Sequence, residues 1–125
     1  MEDAIADGMP ILNAQKAIEN LGDESLFNTL IESYDSTLIK TLEELQVAMD
    51  KIDYKEIRMK SHSLKGPSSY IGAERVRRAA EILQFNVDKQ EGLKIYKNYP
   101  MLMEECIKLR RQIRVYLCTQ RRNEH

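Results

Sequence analysis

The chain has 125 residues, a net charge of −1, and only 5 glycines and 3 prolines. This length suffices for one domain with one core and is too short for two. The near-neutral charge argues against nucleic acid as the main partner, because such binding depends on dense Lys and Arg. Few glycines, prolines and aromatic residues favour an all-helical fold over a sheet.

The sequence also argues against export and membrane insertion. Met1 to Gly8 is acidic and lacks the apolar core of a secretory signal, and no apolar run approaches the roughly 18 residues of a membrane span. Cys106 and Cys118 lie on one expected helix, too far apart for a disulfide, which indicates free thiols in a reducing compartment. We therefore expect a soluble intracellular protein.

The first half of the chain predicts two helices after a flexible tail (residues 1–8) and an apolar strap (residues 9–12). Asn13 can cap a short helix that ends near Leu21, with Gly22 as its stop. Asp23 can cap a helix of about 25 residues. Its expected inward positions are Leu26, Leu30, Tyr34, Leu38, Leu42, Leu45, Met49 and Ile52.

A third helix is expected to begin at Asp53, with Glu56 completing a capping box and Ile52 and Ile57 forming a hydrophobic staple. Two serines on its inward face indicate that a neighbouring helix approaches closely. The expected inward positions are Tyr54, Ile57, Ser61, Leu64, Ser68 and Ile71.

Gly72 interrupts the helical pattern, and two further helices follow it. The fourth is expected to start near Ala73 and the last to run from about Glu91 to Thr119, where Pro100 should introduce a kink or a new start. The expected buried positions are Val76, Ala80, Leu83 and Val87, then Leu102, Cys106, Leu109, Ile113 and Tyr116. The predicted fold is all-α: an antiparallel four-helix bundle over residues 9–119 with a short additional N-terminal helix, followed by a polar end at residues 120–125.

His62 is the residue with the clearest chemical potential. At about 100° per residue it lies just off the inward face, on one stripe with Arg58, Lys65, Gly66 and Ser69. An exposed imidazole is a nucleophile near neutral pH, and the two cations could stabilise a transferring phosphoryl group. Spacing alone also fits an ordinary surface histidine, and no Cys, His or Asp stands at metal-ligand spacing on this helix.

The stretch His62-Ser63-Leu64-Lys65-Gly66, followed by Gly72-Ala73, resembles the signature of the histidine-containing phosphotransfer (HPt) family, H-x-L-K-G with a later G-A. Met9-Pro10-Ile11-Leu12 resembles the strap that begins many of these domains. Leu21-Gly22-Asp23-Glu24 resembles the usual junction into the first long helix. The resemblance extends over residues 9–119.

This resemblance implies roles for individual residues. His62 would accept the phosphoryl group on Nε2, Lys65 would neutralise its charge, and Gly72 would allow a tight turn. Gln84 matches a position from which some members orient the histidine ring, although a plain surface amide remains an open alternative. The receiver-binding residues would be Arg58, Met59, Gly66 and Ser69, and Arg75, Arg77 and Arg78 could steer an acidic receiver pocket toward the site.

Pro67 departs from the family pattern, which usually has a small residue after the motif glycine. Proline lacks an N–H and would clash with the carbonyl of Ser63, so a kink or a loosened turn is expected below His62. Tyr70 is also bulkier than usual and could cover the lower edge of the site or simply pack.

The resemblance implies a phosphoryl carrier without autokinase activity, working in two-component signalling. It would take a phosphoryl group from a receiver aspartate and pass it to another, with receiver domains of hybrid kinases and response regulators as partners. Cofactors, metal, nucleic acid and membrane are not expected. A monomer is expected, cytoplasmic and, in a eukaryote, also nuclear.

Three alternatives stay open. An HPt-like bundle with Pro67 could dock receivers without transferring phosphate. A helical enzyme could use His62 as a general base, which requires a nearby carboxylate and a closed pocket. A purely structural bundle could dimerise through the seam from Leu38 to Ile52.

Overall fold

The computed structural model describes residues 8–123, with side chains to residue 121, and this part of the chain forms five helices. They are α1 (Ala14–Leu21), α2 (Glu24–Asp50), α3 (Tyr54–Tyr70), α4 (Glu74–Asp88) and α5 (Gly92–Asn123). Residues 1–7 of the expected tail and the last two residues of the polar end lie outside the described residues. No helix within the described range is long and apolar enough to cross a membrane.

The helix starts follow the expected capping chemistry. The side chains of Asn13, Asp23 and Asp53 each accept a hydrogen bond from the backbone N–H three residues later. Gly22 ends α1 with a φ of 75° in the left-handed region, where glycine carries no Cβ penalty. The capping box at α3 forms only in part, because the N–H of Asp53 donates to the carbonyl of Ala48.

The four long helices pack antiparallel in the order α2, α3, α4, α5 around one core. As residue numbers rise along one helix, they fall along its neighbour, which side-chain contacts between α2 and α5 show directly. These contacts are Met49 with Tyr96, Asp35 with Arg110, and Asn28 with Tyr116. Since α3 lies between α2 and α4, its outer face points away from α5. The expected four-helix bundle with a short additional N-terminal helix is confirmed.

The core confirms most of the expected inward positions and corrects three of them. Leu26, Ile52 and Tyr54 are 43%, 58% and 44% exposed. Phe27 and Ile31 are fully buried instead, and the ring of Phe27 meets Tyr116 edge-on, with 5.4 Å between ring centroids. The inward stripe of early α2 is therefore rotated by one residue relative to the sequence pattern, because this part of α2 packs against α1 and α5.

The turn between α3 and α4 joins the N-terminal strap to the bundle. Gly72 has a φ of 79°, and its carbonyl accepts a hydrogen bond from the N–H of Asn13 over 2.9 Å. A Cβ at Gly72 would stand 2.4 Å from the carbonyl oxygen of Asn13. Gly72 is therefore required both by its backbone conformation and by the close passage of the strap.

α5 continues through Pro100, so a fresh helix start at this proline is not observed. Cys106 is fully buried and Cys118 is exposed, and both are free thiols. Burial raises the pKa of the Cys106 thiol to about 12.

Candidate functional site

His62 lies in the middle of α3 on its outer, solvent-exposed face. Its neighbours on the inward face, Ser61 and Leu64, are buried, which fixes the rotation of the helix and turns the imidazole outward. The His62 side of α3 is an exposed surface. The general-base alternative required a closed pocket, and the geometry does not provide one around His62.

Gln84 of α4 holds the imidazole from one side. Its Oε1 lies 3.4 Å from Nδ1 of His62, and the Gln84 residue is only 9% exposed. Gln84 is therefore a buried amide at the site, which removes the surface-amide alternative. Because an amide oxygen only accepts hydrogen bonds, Nδ1 carries the proton in the neutral ring. The lone pair is then on Nε2, the nitrogen on the other side of the ring.

Lys65 completes a three-residue cluster around the same oxygen. Its Nζ donates to Oε1 of Gln84 over 3.3 Å, so the ammonium and the imidazole share one acceptor. Lys65 stands three residues after His62, and helical side chains lean toward the N-terminus, which inclines Lys65 toward the histidine. The ammonium of Lys65 is therefore held at the same amide oxygen that faces the His62 imidazole.

Gly66 leaves an open space next to His62. A Cβ built on Gly66 would meet no heavy atom within 4 Å outside its own helical surroundings and chain neighbours. Packing against the other helices therefore does not require glycine here. This differs from Gly72, where the chain's own strap excludes a side chain. The surface at Gly66 is therefore open to solvent.

Pro67 lies within α3, which runs without a break to Tyr70. The expected disturbance does not end the helix: the N–H of Ile71 still donates to the Pro67 carbonyl over 3.3 Å. The carbonyl of Ser63 lacks its usual i+4 partner because proline has no N–H. Pro67 and Tyr70 line a groove of about 240 Å³ between α2 and α3, with Leu30 and Thr37 on the opposite wall.

The remaining expected site residues surround His62 on this face. Met59 and Tyr70 are 50% and 67% exposed, and Ser69 is exposed as well. Arg58 forms an ion pair with Asp88 at the end of α4, with Nε 2.6 Å from Oδ1. Sequence reasoning did not identify Asp88, although its position four residues after Gln84 places both on one face of α4.

The three arginines of α4 that were expected to steer a partner are engaged in ion pairs. Arg75 pairs with Glu105, Arg77 with Glu74 and Glu81, and Arg78 with Glu81. Their charges are thereby largely compensated, which weakens the steering hypothesis. No cluster of three or more His, Cys, Asp and Glu side chains able to hold a metal ion occurs among the described residues.

The fold and this site define a helical bundle that presents a histidine on an exposed helix face, in contact with a buried glutamine that a neighbouring lysine also contacts. The family model of the Hpt domain matches residues 29–97, more than half of the chain, so the chain belongs to the Hpt domain family. The site residues from Arg58 to Gln84 all lie within the matched range.

Similarity to known proteins extends beyond the family model. The phosphorelay intermediate protein rdeA of Dictyostelium discoideum is 33% identical over 84 residues, which is 67% of this chain and 33% of rdeA. This match thus spans about a third of the length of that relative. The crystal structure of histidine-containing phosphotransfer protein B (HptB) from Pseudomonas aeruginosa PAO1 superposes with a TM-score of 0.77 at 20% identity, covering 93% of this chain and 97% of HptB. That superposition confirms the all-α fold.

Proposed function

We propose that this Hpt domain carries a phosphoryl group on Nε2 of His62, received from the aspartate of one receiver domain and passed to that of another. The observation that carries the proposal is the arrangement of His62, Gln84 and Gly66. The ring is exposed, Nδ1 faces the oxygen of Gln84 at 3.4 Å, and open space lies beside the ring. We therefore expect an incoming group to reach Nε2 over the exposed face at Gly66.

In the transfer step, the lone pair of Nε2 attacks phosphorus in line with the bond to the receiver's aspartyl oxygen. The P–N bond forms, the P–O bond breaks, and the aspartate leaves as a carboxylate. The proton on Nδ1 stays in place and donates to Gln84 throughout, so no proton has to be removed before attack. The reverse step returns the phosphoryl group to a receiver aspartate.

Lys65 supports the proposal electrostatically. A phosphoryl group carries roughly −1.5 to −2 charges near neutral pH, and an ammonium already inclined toward His62 stabilises it without reorganisation. Gln84 holds the imidazole in the tautomer that exposes Nε2, which makes it a positioning residue.

The docking surface for a receiver is the outer face of α3. It combines the half-exposed Met59, the exposed Tyr70 and the open position at Gly66 with the groove beside Pro67. Methionine and tyrosine side chains are enriched at protein interfaces, which suits this face for docking. The chain would act on receivers as a monomer and without phosphorylating itself.

The test is a phosphotransfer assay. A receiver domain charged with labelled phosphate is mixed with the native protein or with His62→Gln. The proposal predicts acid-labile, base-stable label on the native chain and none on the variant. Measurable binding of several receivers without any transfer would contradict it and would favour the docking-only alternative.

Gly66→Ala tests docking separately from folding. We expect a change in unfolding free energy within about 1 kcal/mol, because the gain in helix propensity of alanine is opposed by its steric conflict with the following proline. Transfer should slow about tenfold or more, because the new methyl group lies where the receiver approaches. Unchanged transfer by Gly66→Ala would show that the partner does not use this space.

A further inference from the structure

The ion pair between Arg58 and Asp88 lies one helical turn from His62. On α3, Arg58 precedes His62 by four residues, and on α4, Asp88 follows Gln84 by four residues. Two contacts therefore lie side by side across the same pair of helices: His62 with Gln84 at 3.4 Å, and Arg58 with Asp88 at 2.6 Å.

Both members of this pair are accessible, with 47% and 44% of their side chains exposed. Solvent-exposed ion pairs contribute little net stability, since water screens them and ordering two side chains has an entropic cost. Asp88 therefore binds Arg58 only weakly. A stronger anion nearby can displace Asp88 from the guanidinium.

A phosphoryl group on His62 is such an anion. Residues four apart on a helix have Cβ atoms about 5–6 Å from each other, and side chains lean toward the helix N-terminus. The His62 ring thus leans toward the turn that carries Arg58. The phosphoryl group brings more charge than a carboxylate and three acceptor oxygens that match the guanidinium fork.

We propose that Arg58 is a phosphoryl-binding residue that changes partner, from Asp88 in the unphosphorylated protein to the phosphoryl group on His62 in the phosphorylated one. The inference rests on the proposed function and adds to it a second cation besides Lys65. Asp88 then acts as a competitor that limits how strongly the phosphorylated form is stabilised. The exchange thereby sets the equilibrium constant for phosphoryl transfer between this protein and a receiver.

The first experiment observes Arg58 directly. His62 is phosphorylated with phosphoramidate, whose P–N bond breaks with loss of ammonia as the new bond to Nε2 forms, so no receiver is needed. The Nε–H signal of Arg58 is followed by NMR and assigned by its loss in Arg58→Lys. The proposal predicts that this signal shifts on phosphorylation of the native protein. An unchanged Arg58 signal in protein phosphorylated on His62 would overturn it.

The second experiment measures the equilibrium constant for transfer from a receiver. Arg58→Gln should lower it about two- to fivefold, the factor expected for loss of one exposed charge pair. Lys55→Gln is the matched control, since Lys55 is exposed on the same helix, seven residues before His62, and forms no ion pair among the residues with described side chains. Equal effects of the two substitutions would refute a direct contact.

Asp88→Asn, alone and combined with Arg58→Gln, completes a double-mutant cycle. It should raise the equilibrium constant, and Arg58→Gln should then have a larger effect in the Asp88→Asn background, where no competing carboxylate holds the guanidinium. Strict additivity of the two substitutions would contradict the exchange. Absence of phosphate on His62 from both donors would refute the proposed function and this inference together, whereas phosphorylated His62 with an unchanged Arg58 refutes the exchange alone.

Discussion

Replacement of Pro67 by alanine should stabilise this protein. The residue lies inside α3, where alanine would supply the N–H that proline lacks and donate it to the carbonyl of Ser63. Proline in a helix interior costs about 3 kcal/mol relative to alanine. Part of that cost is offset here, because proline restricts the unfolded chain, an effect worth about 0.4–1 kcal/mol.

The structure reduces the expected gain further. α3 continues past Pro67 to Tyr70, so the helix has already accommodated the ring and alanine would relieve only part of the usual cost. Pro67 is itself exposed, so loss of its ring should offset little of the remaining gain. We therefore expect a gain of about 1–2 kcal/mol in unfolding free energy and a rise of about 4–8 °C in Tm.

Urea denaturation followed by circular dichroism measures this difference. The midpoint should rise with an unchanged m value, since the exposed surface of the unfolded chain stays the same. Ser69→Ala is the matched control: it also places alanine on the exposed face of α3 but restores no backbone donor, so its effect should stay within about 0.5 kcal/mol. A loss of stability, or a gain no larger than that of the control, would refute the reasoning.

Three further outcomes follow from the fold. Gly72→Ala should lower the unfolding free energy measured by chemical denaturation by about 3 kcal/mol. The reasons are that a Cβ would meet the Asn13 carbonyl oxygen at 2.4 Å and that the φ of 79° is unfavourable for alanine. A change below about 1 kcal/mol would contradict this. Hydrogen bonds from Arg75 hold the pKa of Glu105 below its ordinary value, so the pair stabilises the fold fully above the ordinary carboxyl pKa and loses this effect as the pH falls through the folded pKa. Arg75→Gln should accordingly lower the unfolding free energy by about 3 kcal/mol at neutral pH and by less in acid. An equal loss at both pH values would show that the ion pair with Glu105 is not the source of this stability. With a thiol reagent, one cysteine per native chain should react rapidly and Cys106 only on unfolding, because burial raises its pKa to about 12; rapid modification of both thiols would show that the core opens.

Local chemistry in the sequence was sufficient for the starts of the first three helices. Asn13, Asp23 and Asp53 act as caps because a side-chain oxygen can reach a backbone N–H three residues away whatever the rest of the fold does. The motif around His62 likewise indicated an exposed histidine, since the rotation of one helix follows from its own apolar pattern. Both predictions depend only on residues close together in the chain.

The details of the site depended on which helices became neighbours. Leu26 and Phe27 are adjacent in sequence and both apolar, and only packing against α5 decided that Phe27 is buried. The burial of Gln84 and its position at Nδ1 of His62 required the register of α3 against α4.

The same register paired Arg58 with Asp88, thirty residues apart in sequence. Charges on separate helices have no preferred partner until the apolar faces of those helices pack. Burial of apolar surface, which favours no particular orientation, drives that packing. The shapes of the buried side chains then set the register of the helices. Pairwise contacts across the bundle are therefore properties of the assembled core, whereas the caps and the outward histidine are already determined by each helix alone.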